Sequence, residues 1–436
     1  MKFNINLRQL PVKTLKCMRQ LSSASKIDTG GNVTINNVQY EQDVYTNVTP
    51  KILSYVGKNR HIRQYHPLSL VRQQIVNYFY KTFKTSRGNP IFSVHDNISP
   101  IVTTHQNFDT LLTPKDHPSR SKSDCYYLNK EVLLRSHTTA HQSELIQSGL
   151  NTFLIVGDVY RRDEIDRTHF PVFHQLDGVY LKTRNQLFRK DPSLQLFEAG
   201  NNTQSIGLEQ KQACHTLEAV KLMEHELKST LEGLAHHIFG NDIKYRWIET
   251  FFPFTKPSWE LEVWYREQWM ELLGCGIMQQ SIICNSGVED RIGWAFGVGL
   301  ERIAMCLYQI PDIRLFWSND SGFLNQFVTD DVQKRITYVP ISHYPQCTSD
   351  ISFWLPEDVT SYCANDFYDL ARNIGTDFIE QISLVDEFTH PKTGKVSHCY
   401  RIVYRHMAKT LTHKEVNFIH KKIGEKAVAQ LKVDLR

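Results

Sequence analysis

The chain has 436 residues, 41% hydrophobic and 22% charged, which is length for one large domain and a smaller one and a composition that argues against wholesale disorder. A net charge of +4 is compatible with an RNA partner without demanding one. Nine dispersed cysteines, with no CxxC pair and no Cys/His cluster at zinc spacing, argue against a disulfide framework or a structural metal, and no run of eighteen apolar residues exists to span a membrane.

In chain order, residues 1–26 carry Lys2, Arg8, Lys13, Lys16, Arg19 and Lys26, with Ser22, Ser23 and Ser25 and no acid before Asp28. Basic, serine-bearing and acid-free is the composition of an organellar transit peptide; a disordered basic tail is the alternative. Pro67 opens a helix over 66–83, in which Leu68, Val71, Ile75 and Phe79 recur at helical spacing. A strand including 101–103 and a proline-bearing loop at 109–120 precede a strand at 131–135. His137-Thr138-Thr139-Ala140-His141-Gln142 then opens a helix through Leu150, with hydroxyls placed to cap it.

The densest chemistry follows. An apolar run at 153–159 is short enough for a buried strand, a charged segment fills 161–167, and a second β-prone run covers 172–181. Pro171 bars a helix from entering that run, so the reading is two strands joined by a charged loop. Alternation puts Arg161 with Asp163 on one face and Gln175 with Asp177 on one face. Guanidinium forks bind phosphate bidentately, and an amide beside a carboxylate suits an ammonium group. On these residues alone, a mixed-charge surface hairpin serves equally well.

From 182 to 214 the chain reads as a polar surface insertion, followed by a helix over 215–239 and strands at 245–254, 261–265 and 270–273. Glu260 and Glu262 share a strand face; carboxylates so placed are solvated or hold Mg²⁺ through water. At 296–305, FGVGLERIAM, a glycine turn leads into a helix carrying Glu301 and Arg302. Residues 329–340 read as a linker. Beyond it come strands at 337–340 and 349–355, a helix at 366–374, strands at 379–387 and 399–405, and a helix at 414–428, an imperfect ferredoxin-like order.

Tyr160-Arg161-Arg162-Asp163 and Gly297-Val298-Gly299-Leu300-Glu301-Arg302 resemble motifs 2 and 3 of the class II aminoacyl-tRNA synthetases. THFPVFHQLDG at 168–178, FPF at 252–254, HPLSL at 66–70, NFDTLLTPKDHPSR at 107–120 and LLRSHTTAHQ at 133–142 narrow the resemblance to the phenylalanyl-tRNA synthetases. It covers roughly everything after the first forty positions. The resemblance implies an α+β protein: an antiparallel-sheet class II catalytic domain with helices over 45–328, a linker at 329–340, and a ferredoxin-like anticodon-binding domain over 341–436.

The implied activity is ATP-dependent attachment of phenylalanine to mitochondrial tRNA(Phe) through an adenylate, with ATP and Mg²⁺ required. In that scheme Arg161 meets the α-phosphate and Arg302 the γ-phosphate, while His169, with Arg162 or Arg167, assists the β- and γ-phosphates. Glu271 and Glu262 are the Mg²⁺ candidates. His137, Thr139, Ala140, His141 and Gln142 line the phenylalanine pocket, Gln175, Leu176 and Asp177 lie at the ammonium group, and Phe252, Phe254, Ala295 and Phe296 enclose the ring. Asp163, Thr168 and Phe170 complete the nucleotide side. Thr139 stands where relatives often have serine, Asp177 where they often have glutamate, and Ser349 where many carry a base, which leaves one RNA contact in doubt.

RNA loops are read as unstacked bases on aromatic and guanidinium planes, so Tyr400, Arg401, Tyr404 and Arg405 are the candidate readers, with Lys414, Lys421, Lys422 and Lys426 for backbone phosphates. The chain has no Gly-x-x-x-x-Gly-Lys-Ser/Thr loop and neither class I synthetase pattern. A catalytically inactive, tRNA-binding paralogue is the alternative; joint retention of Arg161, His169, Gln175, Glu271 and Arg302 weighs against it. With no length for an editing domain, the chain looks like the family's monomeric mitochondrial form, placed in the matrix and not in a membrane.

Overall fold

The computed structural model describes residues 26–27, 32–198, 210–340, 344–359, 362–406 and 409–436. The expected transit peptide (but for its last residue), the polar run 201–205 and the expected start of the second domain at 341 lie outside them. Among the described residues no helix is long and apolar enough to cross a membrane.

The large domain is built on a seven-stranded sheet. Its strands are β4 (Ser93–His95), β7 (Thr152–Tyr160), β8 (Val172–Thr183), β9 (Tyr245–Phe252), β10 (Thr255–Tyr265), β11 (Gln268–Met278) and β12 (Arg291–Gly299), in the order β4-β7-β8-β12-β11-β10-β9. Only the β4–β7 pair is parallel. Smaller sheets join β1 (Lys26–Ile27), β2 (Asn32–Ile35) and β3 (Val38–Glu41), and β5 (Ile101–Thr103) with β6 (Val132–Leu134).

Position in the sheet explains the sequence patterns. β7 is buried along almost its whole length and reads as a continuous apolar run, whereas edge strand β9 alternates. Helices α1 (Pro67–Thr82), begun by Pro67 and capped by the His66 ring, and α2 (Leu217–Phe239) bury their apolar stripes with one face of the sheet in a core that includes Phe79, Leu176, Leu231, Trp294 and Phe296. The opposite face stays open at its centre.

The second domain has β13 (Cys347–Trp354), α4 (Ala364–Gly375), β14 (Ile379–Thr389), β15 (Val396–Tyr404), α5 (His413–Leu431) and β16 (Asp434–Leu435), with α3 (Leu300–Tyr308) of the large domain following β12. Its antiparallel sheet runs β14-β15-β13-β16, a complete βαββαβ unit. The expected strand at 337–340 is irregular chain; the missing sixth element is β16, too short for alternation to reveal. Tyr400 and Tyr404 are buried under the helices rather than displayed, which corrects their assignment as RNA readers. Arg401 is exposed and paired to Asp350, and Arg405 lies against the buried Glu380.

The segment 329–340 is strapped to the large domain rather than free. Gln74 Nε2 donates to the Val332 carbonyl (2.6 Å), Tyr338 N–H donates to the Tyr308 carbonyl (2.8 Å), and Ile336 and Tyr338 pack on the core. The domains also grip each other through the charged loop between β7 and β8. Ile165 enters the second domain's core, and its carbonyl accepts from Ile382 N–H (2.9 Å). Arg162 is buried, donating to Asp369 and Asp366 (2.6 Å each), and Arg167 pairs with Glu380 (2.6 Å). Arg162, buried with all three nitrogens engaged, is committed across the interface and not free for phosphate, whereas Arg167 stays half-exposed beside Glu380; a buried arginine without such partners would be strongly destabilising.

Candidate active site

β7 and β8 pair in register from Tyr160↔Val172 to Thr152↔Tyr180, which puts Phe173, Gln175 and Asp177 on the open face. Leu176 therefore turns to the opposite face and is fully buried in the core, which removes it from the expected ammonium site. Two cavities open on this face. The inner one, about 550 Å³, is lined by residues that include His137, Thr139, Gln142, Phe252, Phe254 and Ala295; the outer one, about 660 Å³, includes Thr168, His169, Phe170, Phe173 and Arg302. Arg161, Asp163, Gln175, Glu271 and Gly297 border both, so the cavities meet there.

The inner cavity is an aromatic slot with one buried carboxylate. Phe252 ends β9 and Phe254 follows in the turn, with rings stacked 5.7 Å apart at 6°. A Cβ on Gly274 would stand 2.8 Å from the Phe252 ring, so only glycine lets that ring lie flat on β11. Ala295 faces the slot, whereas Phe296 borders it but turns its ring to the core, stacked on Phe79 at 5.3 Å. Asp177 is 2% exposed and accepts from Thr139 Oγ1 (2.6 Å). Burial pushes its carboxyl up to about 6, against the pull of the Thr139 and Thr138 hydroxyls and of Arg161 and Arg135. A cationic ligand group would relieve that cost. Gln175 Oε1 accepts from Thr138 N–H at 3.4 Å, and His137 is held neutral, its pKa pushed down to about 3 by burial and then by Arg161 and His141.

Ala140 and His141 do not line either cavity. Ala140 packs among Val102, Phe108 and Leu133. His141 Nε2 accepts from Arg135, which is itself clamped on Asp158 (2.9 Å), and Tyr160 OH donates to the same carboxylate (2.5 Å). In this buried network the Arg135 guanidinium lies over Gly157, on the face that also carries Gln175, and fixes that end of β7. The network was not foreseen because each member reads as an ordinary strand or loop residue.

Arg161 stands at the junction. Its Nε donates to the Ser136 carbonyl (2.7 Å) and its guanidinium lies 5.2 Å from the Phe173 ring, so the side chain is held by backbone and ring while its terminal nitrogens reach the cavities. Phe173 was missed by sequence reasoning although alternation from Gln175 points to it. Asp166 accepts from His169 Nδ1 (2.7 Å) and from the backbone N–H of Thr168 and His169, shaping the loop that carries both residues. Phe170 stacks on Trp317 (5.8 Å, 20°).

The paired glycines at 297 and 299 lie within β12, not in a turn, and α3 starts directly after them. Gly297 sits opposite Asp177, where a Cβ would come 2.9 Å from its Oδ1. Buried Glu301 accepts from both the backbone N–H (2.8 Å) and Nδ1 (2.7 Å) of His174, tying α3 to β8. Its neighbour Arg302 points outward and donates to the carbonyl (2.8 Å) and carboxylate (3.2 Å) of Glu271. Glu262 stands directly across β10–β11 from Glu271 and pairs with Arg246. Among the described residues no three side chains gather as a metal cage. Two facing carboxylates are the hard-oxygen donors that suit Mg²⁺ when waters and phosphate oxygens supply the other ligands.

Residues 53–195 and 201–327 match the family described as tRNA synthetases class II core domain (F), and 342–436 match the ferredoxin-fold anticodon binding domain. The chain is 56% identical to the probable phenylalanine–tRNA ligase, mitochondrial, of Drosophila melanogaster, over 98% of this chain and 97% of that protein. Identity to the corresponding Mus musculus ligase is 50% (93% and 89% covered), and to that of Saccharomyces cerevisiae 38% (98% and 99%).

Proposed function

This chain belongs to the mitochondrial phenylalanine–tRNA ligases, a class II synthetase core joined to a ferredoxin-fold anticodon-binding domain, and from that premise we propose how its two cavities divide the reaction. The enzyme attaches phenylalanine to tRNA(Phe) with ATP. We assign the inner slot to phenylalanine: Phe252 and Phe254 flank its ring, Ala295 closes the far end, and Asp177 with Gln175 takes the ammonium group. The outer cavity takes ATP, with Phe173 offering a ring face and Arg302, Thr168 and His169 facing the phosphates.

In the first step a carboxylate oxygen of phenylalanine attacks the α-phosphorus, the bond to pyrophosphate breaks, and phenylalanyl-adenylate forms. In the second a terminal ribose hydroxyl of the tRNA attacks the activated carbonyl and AMP leaves. Neither step draws on a protein nucleophile; catalysis rests on alignment and on fixed charge aimed at the phosphorus. Arg161 spans the two cavities and neutralises charge where carboxylate and phosphate meet. When nucleotide is bound, Mg²⁺ held by Glu271 and Glu262 would screen the phosphate charge. The protein works as a monomer in the mitochondrial matrix.

The observation that carries this reading is the meeting of an aromatic slot, holding one buried carboxylate, with an arginine-lined cavity at Arg161. The test is pyrophosphate exchange measured with each of the twenty amino acids. Phenylalanine should support it, tyrosine far more weakly; preferred exchange with any other amino acid overturns the assignment.

A further inference from the structure

We propose that Trp317 is a positioning residue for the nucleotide, its ring setting the two phosphate-facing walls of the outer cavity against each other. This rests on the reading above, in which the outer cavity takes ATP with Thr168, His169 and Arg302 at the phosphates.

Those three side chains come from two separate pieces of chain. Thr168 and His169 end the exposed loop that leads into β8, and Arg302 stands in the first turn of α3. Loop and helix must keep a fixed spacing, or a group that meets one phosphate oxygen leaves the next out of reach. Trp317, the last residue of the 3₁₀ turn Ile313–Trp317, bears on both. Its indole stacks with Phe170, directly after His169, at 5.8 Å and 20°, and with His174 at 5.7 Å and 23°. His174 is the residue whose ring and backbone N–H both donate to Glu301, the neighbour of Arg302. One ring therefore reaches the loop through Phe170 and α3 through His174.

The anchor is itself fixed from behind. Arg60 Nη2 donates to Asn319 Oδ1 (3.1 Å) and to the Trp317 carbonyl (3.5 Å), and His66 Nε2 donates to the Phe316 carbonyl (2.9 Å). At the start of the turn, Ile313 N–H donates to the Arg167 carbonyl (2.8 Å), a second hold on the same loop. Tyr55 meets the indole edge-on at 4.6 Å and Phe170 at 5.6 Å, closing the cluster. The indole N–H is buried with no partner among the described residues, so stacking, not a hydrogen bond, sets the place of the ring. Trp317 and Phe170 pack against both the main sheet core and the smaller core around Tyr160 and Val172, at the seam between them. Stacked rings hold such a seam at one spacing, whereas an aliphatic side chain fills the same volume in several rotamers.

The test is pyrophosphate exchange by the full chain, with ATP varied at saturating phenylalanine and then the reverse. Trp317→Leu should raise the KM for ATP about tenfold or more and leave the KM for phenylalanine within about twofold. Trp317→Phe, which keeps a ring able to stack, should fall between it and the parent. Phe170→Leu should show the same split, and the double Leu variant should be little worse than Trp317→Leu, because Phe170 then has no stack left to lose. A role in folding alone would lower melting and the amount of active enzyme without separating the two KM values. A parental KM for ATP in Trp317→Leu overturns the proposal, as does an equal rise in both KM values or full additivity in the double variant. Should Trp317→Leu fail to fold, Phe170→Leu decides alone, in favour if its KM for ATP rises and against if it does not. If the parent itself shows no phenylalanine-dependent exchange, the reading of the cavities fails and this proposal with it; parental exchange with an unmoved KM for ATP sinks the positioning role only.

Discussion

Arg161 and Asp177 set the terms at the scale of the residue. Arg161 is held by the Ser136 carbonyl and the Phe173 ring before any ligand arrives, so little order is left to impose when it meets phosphate. Removing a charge-assisted contact costs about 1.5–3 kcal/mol, more where water is excluded, so Arg161→Ala and Arg302→Ala should each slow pyrophosphate exchange by at least ten- to a hundredfold with melting little changed. Near-parental exchange in either variant would refute its phosphate role. Asp177 carries a different cost. With its carboxyl raised from 3.8 to about 6, the native chain binds the proton first as pH falls. Stability of the ligand-free protein is thus lost as pH rises between those values, and the ionised group costs about 3 kcal/mol above them. Asp177→Asn should therefore melt higher than the parent at pH 8, match it more closely at pH 5, and lose phenylalanine-dependent exchange; lower melting at pH 8 would make Asp177 a structural residue instead. In the parent, the KM for phenylalanine should climb below about pH 6, where the neutral carboxyl no longer pairs with the ammonium group.

Elements meet through few contacts that matter more than their number. Glu301 is one: it satisfies two donors of His174 from the first turn of α3 and so fixes α3, with Arg302, against β8, with Gln175. Glu301→Ala orphans both donors in a buried place, at about 1–3 kcal/mol each, and should lower melting by several degrees and raise the KM for ATP. Glu301→Gln keeps an acceptor for one of them and should fall between. If Glu301→Ala leaves the KM for ATP unmoved while melting drops, the contact serves folding alone. The glycines of β11 and β12 act at the same scale. Gly297 reads as part of a glycine turn in the sequence, yet it and Gly274 are strand residues, the flat floor on which Asp177 and Phe252 lie.

At the scale of the molecule, the second domain is no free appendage. It holds the loop between β7 and β8 through Arg162, Arg167 and Ile165, the loop that also brings Thr168 and His169 to the outer cavity. A chain ending at Asp331 would strip Ile336 and Tyr338 from the core, whereas one ending at Pro340 keeps them. The shorter chain should be poorly soluble. The longer one should fold, because truncation returns Arg162 to water instead of leaving it buried and unpaired. It should retain phenylalanine-dependent exchange at a reduced rate, with the KM for ATP raised by the unbraced loop, and charge tRNA very poorly. Full tRNA charging by the chain ending at Pro340 would mean the second domain contributes nothing to RNA binding.

Local pattern was enough for much of this. The continuous apolar run of β7, Pro171 before β8 and the helical spacing after Pro67 each follow from burial or backbone geometry that neighbouring residues alone impose. Alternation along β8 likewise put Gln175 and Asp177 together and points to Phe173, because strand faces repeat every second residue. What depended on partners distant in the chain was not legible. Whether Arg162 meets phosphate or Asp369, 207 residues away, is decided by where the second domain sits, and the sequence reads the same in either case. Ala140, His141 and Leu176 belong to matching motifs, but only packing decides which way each faces. Tyr400 and Tyr404 carry the same lesson: alternation sorts the residues of a strand into two faces, and only the helices lying across one face decide which set is core and which stays open.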